Sequence, residues 1–291
     1  GKAFSVLHVW RDGGLHGPAE TPYDLQAVGA INPQECWWTT TEDGRRLAVL
    51  WSTAYLHPSG HMVGASADEP GYGIALYDAD MEIETFCGPF AGKAQTAHPT
   101  ADGAEAVVLV RSWRSVGQVM GLVPQSATFL HHIDGRVSQI DHSSALARKR
   151  HHALDQANSP SAVAIAPGGD CVVAVHRMHG SVILEVLTRT TGDTFASVQS
   201  LDITWATAMG SGEPGPFDVF EDAEAAASAL SLPYAIEFSP CGRFVVVADQ
   251  RPRFGLACTN HALVVLDCAL RYTRRGLRAL PLASVDQAAP R

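Results

Sequence analysis

Ser239-Pro240-Cys241-Gly242-Arg243-Phe244-Val245-Val246-Val247-Ala248 joins a turn carrying proline and glycine to an apolar, largely β-branched run. Glycine reaches positive φ at such a turn without steric cost, and the valine run suits a pleated surface buried on both faces. The same order of residue types occurs three times upstream. It reads Thr41-Glu42-Asp43-Gly44-Arg45-Arg46-Leu47-Ala48-Val49-Leu50-Trp51, then Ala101-Asp102-Gly103-Ala104-Glu105-Ala106-Val107-Val108-Leu109-Val110, then Ala166-Pro167-Gly168-Gly169-Asp170-Cys171-Val172-Val173-Ala174-Val175. A strand is predicted to lead into the two later turns, at 162–166 and 234–238. A third strand follows each pair, at 73–77, 127–131, 182–187 and 262–266, and a more polar fourth is read at 82–86, 136–140 and 194–201.

Gly44, Gly103, Gly169 and Gly242 stand 59, 66 and 73 residues apart. A four-stranded repeat usually takes about 40–50 residues, so each repeat carries an insertion. Parallel α/β architecture would need a helical pattern between successive strands. Only 143–157 and 216–230 offer one, the first basic and the second acidic. Both lie between repeats rather than inside each one, so the all-β reading prevails.

The turn-and-strand unit at 239–248 resembles the signature of WD40-like β-propellers, with Cys241 where that family commonly has Asp. Ile74-Ala75-Leu76-Tyr77-Asp78 and Leu263-Val264-Val265-Leu266-Asp267 resemble its third strand, and Phe4-Ser5-Val6-Leu7-His8-Val9-Trp10-Arg11-Asp12 has a similar cast. The resemblance implies an all-β propeller of four-stranded antiparallel blades, about five recognisable and five to seven in the ring, with long inter-blade insertions. A single domain over residues 1–291 is expected, either complete or part of a longer chain, with insertions near 142–158 and 203–231. Ring closure would draw on the strand at 4–10 and the tail around 276–284.

Composition narrows the function classes. Lys and Arg number 21 against 30 Asp and Glu, a formal net charge of −9, which disfavours nucleic acid as the main partner because such binding needs concentrated cationic charge. The apolar runs are strand-sized, so no membrane span is expected. Cys36, Cys87, Cys171, Cys241, Cys258 and Cys268 show no paired spacing and read as free thiols, which points to a reducing, intracellular and cytoplasmic setting.

In propellers of this kind the loops between second and third strands and the inter-blade connections share one face. Segments 52–72, 112–126 and 250–260, with connections 87–100, 141–159 and 202–231, are expected to decorate it, and loops on a rigid scaffold commonly carry binding. Trp51, Arg111, His176 and Asp249 end equivalent second strands, with Trp113, Arg177, Arg251 and Arg253 nearby. These eight are the candidate partner-binding residues, because Trp and Arg often carry interface energy. Packing between blades is the alternative role for the same strand-end positions.

No cofactor, metal site or catalytic residue is assigned from the sequence. His57 and His61 are separated by Pro58 and Gly60, which forbid a helix. His176 and His179 lack a carboxylate or Cys nearby in sequence, and the pairs His131-His132 and His151-His152 diverge on a strand. Gly210-Ser211-Gly212 sits in a loop-like stretch, without the strand and helix of a nucleophile elbow. The reading is a protein-interaction scaffold or recognition subunit of a larger assembly, with other proteins as partners and an unassigned oligomeric state. The alternative is a lactonase-like propeller hydrolase acting at the central channel, for which Asp170 and Asp249 are the strand-adjacent acids. Three or more carboxylate or His side chains converging on the channel would favour that alternative.

Overall fold

The computed structural model describes residues 7–11, 13–22, 30–41, 44–54, 70–115, 122–142, 160–178, 181–202, 235–248, 263–267 and 278–279. A short hairpin, β1 (Val9–Arg11) with β2 (Gly14–His16), precedes four sheets of four antiparallel strands each. Blade 1 comprises β3 (Ala30–Thr41), β4 (Gly44–Ala54), β5 (Pro70–Tyr77) and β6 (Ile83–Ala91). Blade 2 comprises β7 (Lys93–Pro99), β8 (Glu105–Ser115), β9 (Leu122–His132) and β10 (Val137–Ile140). Blade 3 comprises β11 (Ala162–Ile165), β12 (Cys171–Met178), β13 (Ser181–Thr191) and β14 (Thr194–Asp202). Blade 4 comprises β15 (Ala235–Phe238), β16 (Phe244–Ala248), β17 (Leu263–Asp267) and β18 (Arg278–Ala279). Within each sheet the strands follow chain order.

The repeated turn has one geometry in three blades. In blade 3, Gly169 N–H donates to the Ala166 carbonyl at 2.8 Å and Ala166 N–H to the Cys171 carbonyl at 2.7 Å. Blade 4 repeats this with Gly242 to Ser239 and Ser239 to Phe244, both 2.8 Å, and blade 2 with Gly103 to Thr100 at 3.0 Å and Thr100 to Glu105 at 2.9 Å. Gly103, Gly169 and Gly242 hold φ of +70°, +72° and +68°, which is why the motif demands glycine there.

Alternation along the strands then explains the apolar runs. Val173 and Val175 face blade 4, packing with Ile236, Val245 and Val247, while Val172 and Ala174 face blade 2, packing with Val107, Leu109 and Leu130. Blades 1 and 2 share a core of Leu50, Ile74, Ala106, Val108 and Val110. The far face of blade 1, with Leu47, Val49, Ala75 and Tyr77, is covered by Leu7 and Ala19 of the N-terminal segment. Sheets therefore stack face to face, and the first strands adjoin in sequence: β3 against β7, β7 against β11, β11 against β15. This is β-propeller architecture, with first strands innermost.

Four complete blades and a hairpin are present among the described residues, against about five expected. The strand expected at 4–10 contributes β1, which pairs with β2 in a separate two-stranded sheet. Residues 87–100, expected to be a long connection, are instead the end of β6, the single residue Gly92 and β7. The connections expected at 52–72 and 112–126 are shortened, because β4 and β8 run on to Ala54 and Ser115 and β5 and β9 begin at Pro70 and Leu122. The two helix-like stretches, the 250–260 loop and most of the insertions near 142–158 and 203–231 lie outside the described residues. Cys36, Cys87, Cys171 and Cys241 are thiols rather than disulfide halves. Among the described residues no helix is long and apolar enough to cross a membrane.

Candidate functional site

Burial separates the residues at the second-strand termini. Trp51 is fully buried on the face of blade 1 covered by the N-terminal segment, and its Nε1 donates to Tyr77 Oη at 2.8 Å. His176 is buried between blades 2 and 3. Both side chains are thus buried by the chain itself, the packing role between blades that was the alternative for these strand-end positions. Arg111 is half-buried opposite Lys93 of the innermost strand, and burial lowers the pKa of both, with the Arg111 charge adding to the effect on Lys93. Trp113 lies on β8 and Arg177 on β12, their side chains outside the described set, and Asp249, Arg251 and Arg253 are outside the described residues altogether. Asp170 is an exposed turn residue whose carbonyl accepts the Arg189 N–H at 2.9 Å.

The innermost strands bring together a set that the sequence analysis did not nominate. His98 on β7 of blade 2 places Nδ1 3.4 Å from Oε1 of Glu237 on β15 of blade 4. Blade 3 stands between those two in the stack, so this contact reaches across the axis of the propeller. Glu35 on β3 of blade 1 couples electrostatically to both. Burial, then the Glu237 charge, raises the Glu35 pKa, with His98 opposing. The Glu237 carboxyl is lowered chiefly by its hydrogen bond with His98. His98 pairs in register with Val107 and Glu237 with Val246, near the glycine turns, so their contact lies toward the turn-side mouth of the channel, whereas Glu35 pairs with Leu50 in the middle of the blade 1 hairpin. The turn side is the face opposite the expected loop-decorated one.

A second convergence is closed to solvent. His142, just after β10, accepts or donates through Nε2 to Thr128 Oγ1 at 2.7 Å, and its Nδ1 lies 3.0 Å from Glu185 Oε2. His176 Nε2 lies 2.9 Å from the same oxygen. Burial opposes the Glu185 charge, but the two imidazole hydrogen bonds outweigh it and hold the carboxyl well below its ordinary range, while burial lowers the His176 pKa.

A third set, Glu105, His132 and Asp193, lies between blades 2 and 3 at the turn end. His132 faces Glu105 with Nδ1 at 3.4 Å and Asp193 with Nε2 at 3.0 Å. Arg189 binds Glu105 through both guanidinium amino groups, and Arg136 approaches Asp193 at 3.7 Å. With cations already on both carboxylates, this set is an inter-blade ion network.

Neither a protein-family model nor a characterised protein matches the sequence. Solved structures similar to it include a Dos1 propeller, at 9% identity over 90% of this chain and 49% of that one with a TM-score of 0.49. Hydrazine synthase of Kuenenia stuttgartiensis is similar at 13% identity, covering 84% of this chain and 53% of that one, TM-score 0.41. The periplasmic gluconolactonase of Pseudomonas aeruginosa is similar at 13% identity, covering 93% and 75%, TM-score 0.37. The chain spans about half the length of the first two. Likeness at this level says nothing of activity; the four stacked, four-stranded antiparallel sheets themselves make this chain a β-propeller.

Proposed function

We propose that residues 1–291 form one recognition propeller, a subunit of a larger assembly, that receives a cationic group of a protein partner at the axial channel. The observation that carries this reading is the contact of His98 with Glu237 across the axis, with Glu35 of a third blade electrostatically coupled to both. The Glu237 carboxylate beside His98, with the Glu35 carboxyl within electrostatic reach of both, gives the channel a negative potential, and clefts lined by one sign of charge concentrate and orient ligands of the other. The Glu237 side chain is 69% exposed, so the set is open to an incoming side chain. The turn-side position shifts the proposed contact from the loop face to the axis. Arg111, Trp113, Arg177, Asp249, Arg251 and Arg253 remain proposed contributors on the loop side.

The same residues support a second reading as a channel hydrolase, because two carboxyls and an imidazole coupled at the channel are the kind of grouping expected to favour it. Environments that push two carboxyl pKa values apart, Glu35 upward and Glu237 downward, are those that separate general acid from general base. Against it stands the exposure of Glu237, since such catalysis works best where water is excluded.

Fluorescence anisotropy with labelled Lys- or Arg-bearing peptides, set against acidic peptides of equal length, separates the two. Recognition predicts binding that weakens with salt and falls at least tenfold in the Glu35→Gln/Glu237→Gln double variant. Absence of binding, together with turnover of a lactone or ester panel that the double variant abolishes, would establish the hydrolase instead.

A further inference from the structure

We propose that His142, His176 and Glu185 form an inter-blade Zn²⁺ site that fastens the chain leaving blade 2 to the middle of blade 3. One ligand atom from each residue lies within 4.8 Å of the others, and all three side chains are buried. Two imidazoles and a carboxylate are a donor set that suits zinc, with its tolerance for mixed N and O ligands.

The geometry supports a shared target. His142 Nδ1 and His176 Nε2 both aim at Glu185 Oε2, at 3.0 and 2.9 Å. The two ring planes stand 72° apart with centroids at 5.1 Å, so the rings converge on one point rather than stack. Ligand atoms about 2.0–2.1 Å from a tetrahedral zinc lie about 3.3 Å from one another, so each ring nitrogen needs to draw back from Glu185 Oε2 by only a few tenths of an ångström. On the far side of His142, Nε2 meets the Thr128 hydroxyl at 2.7 Å. A metal-ligating imidazole typically donates its other N–H to such an outer partner, which fixes its tautomer. His176 has no such support: its Nδ1 is buried without a hydrogen-bond partner, so the Nε2 contact alone orients the ring.

Strand placement explains how the trio arises. Glu185 pairs in register with Ala174, and His176 lies two residues on along β12, on the same face. That face turns toward blade 2, where Ile140 ends β10 and His142 follows two residues later. The ligands therefore come from two blades, and the site forms only when those blades stack, so metal binding would be coupled to folding. The Glu105, His132 and Asp193 trio is the internal contrast, because Arg189 and Arg136 already occupy its carboxylates.

The test uses the full chain, unfolded in chelator and refolded with and without ZnCl₂, with bound metal measured by mass spectrometry after desalting. One zinc per chain is expected, together with a higher thermal midpoint in the zinc-refolded sample. His142→Ala and His176→Ala should each lose the metal, and His132→Ala should keep it. Co²⁺ refolded into the wild-type chain should give the intense visible bands of a tetrahedral site without a thiolate charge-transfer band. No zinc in the wild-type chain, or zinc retained by both His142→Ala and His176→Ala, overturns the proposal. A cobalt spectrum that is octahedral or shows thiolate ligation overturns it as well, and that measurement decides if the alanine variants do not fold.

Discussion

The Trp51 indole donates to the Tyr77 phenol oxygen at 2.8 Å, with both side chains fully buried. Tyr77 passes the interaction on, donating to the Glu20 carbonyl at 2.6 Å, so two adjacent strands of blade 1 and the N-terminal segment share one polar chain. Burial raises the Tyr77 pKa strongly, so the phenol stays protonated as this donor role requires.

Trp51→Ala is therefore expected to act on stability, at a cost of about 3–5 kcal/mol for a buried Trp. Tyr77→Phe should cost about 1–3 kcal/mol, because it leaves the Trp51 N–H buried without an acceptor. Urea unfolding followed by circular dichroism measures both. A Trp51→Ala variant as stable as the parent would return Trp51 to the candidate contact surface.

Glu105 and Arg189 join blade 2 to blade 3 by paired contacts, one at 3.1 Å. Their side chains are 18% and 25% exposed, so solvent screens part of the attraction. A double-mutant cycle over Glu105→Gln and Arg189→Gln is expected to give a coupling of about 1 kcal/mol, above the lower range of exposed pairs. A coupling of zero would mean that this pair adds nothing to the register of the two blades, which the other inter-blade contacts and apolar stacking would then set.

Legibility in the sequence followed hydropathy. The second and third strands were readable because Val172–Val175 and their counterparts are buried on both faces and so lack polar interruption. The innermost strands β3 and β7 were not. His98 and Pro99 fall in a stretch that reads as a connection, Pro33, Gln34 and Glu35 in one to which the sequence assigns no element, and a strand bordering the axis can carry such residues on its open side. Pro33 is accommodated where the β3–β4 register shifts, a usual refuge for proline in a strand. The ionisable sets escaped for a different reason. His98 and Glu237 meet only through the ring of blades, and His142 reaches His176 and Glu185 only through blade stacking, which no local spacing encodes. His176 was noted for lacking a carboxylate in its neighbourhood; the carboxylate is nine residues away, on the next strand of the same sheet.

Acid should weaken the contact between blades 1 and 2. His131 is buried, 3.2 Å from the Tyr72 hydroxyl and edge-on to Phe90, and burial, then the neighbouring His132, lowers its pKa to about 4. A histidine with a depressed folded-state pKa takes up its proton more readily when unfolded. Its contribution is thus complete above about pH 6.5 and is lost as pH falls toward 4, at a cost on the order of 3 kcal/mol. Urea midpoints between pH 7 and pH 4.5 should fall less for His131→Gln than for the parent. Equal falls would place the acid sensitivity in other groups.

Gly103 and Gly192 provide a matched pair for testing how tightly blades dock. Both occupy positive φ, +70° and +53°, so alanine at either carries the left-handed cost of about 1–2 kcal/mol. Gly192 has nothing within 4 Å of where a Cβ would sit, whereas at Gly103 it would meet the Trp38 carbonyl oxygen at 2.2 Å and Thr39 Cα at 2.9 Å. Those are backbone atoms of blade 1's innermost strand, and the Gly103 carbonyl also accepts the Trp37 Nε1–H at 3.2 Å. Relief of the clash would require the blade 2 turn to withdraw from β3, which breaks that bond and adds about 1–3 kcal/mol of overpacking. Gly103→Ala should therefore be clearly less stable than Gly192→Ala in parallel urea titrations, with Trp37 fluorescence shifted only in the former. Equal losses at the two positions would mean that the turn of blade 2 does not bear on blade 1, and the face-to-face stacking on which the axial site depends would fail with it.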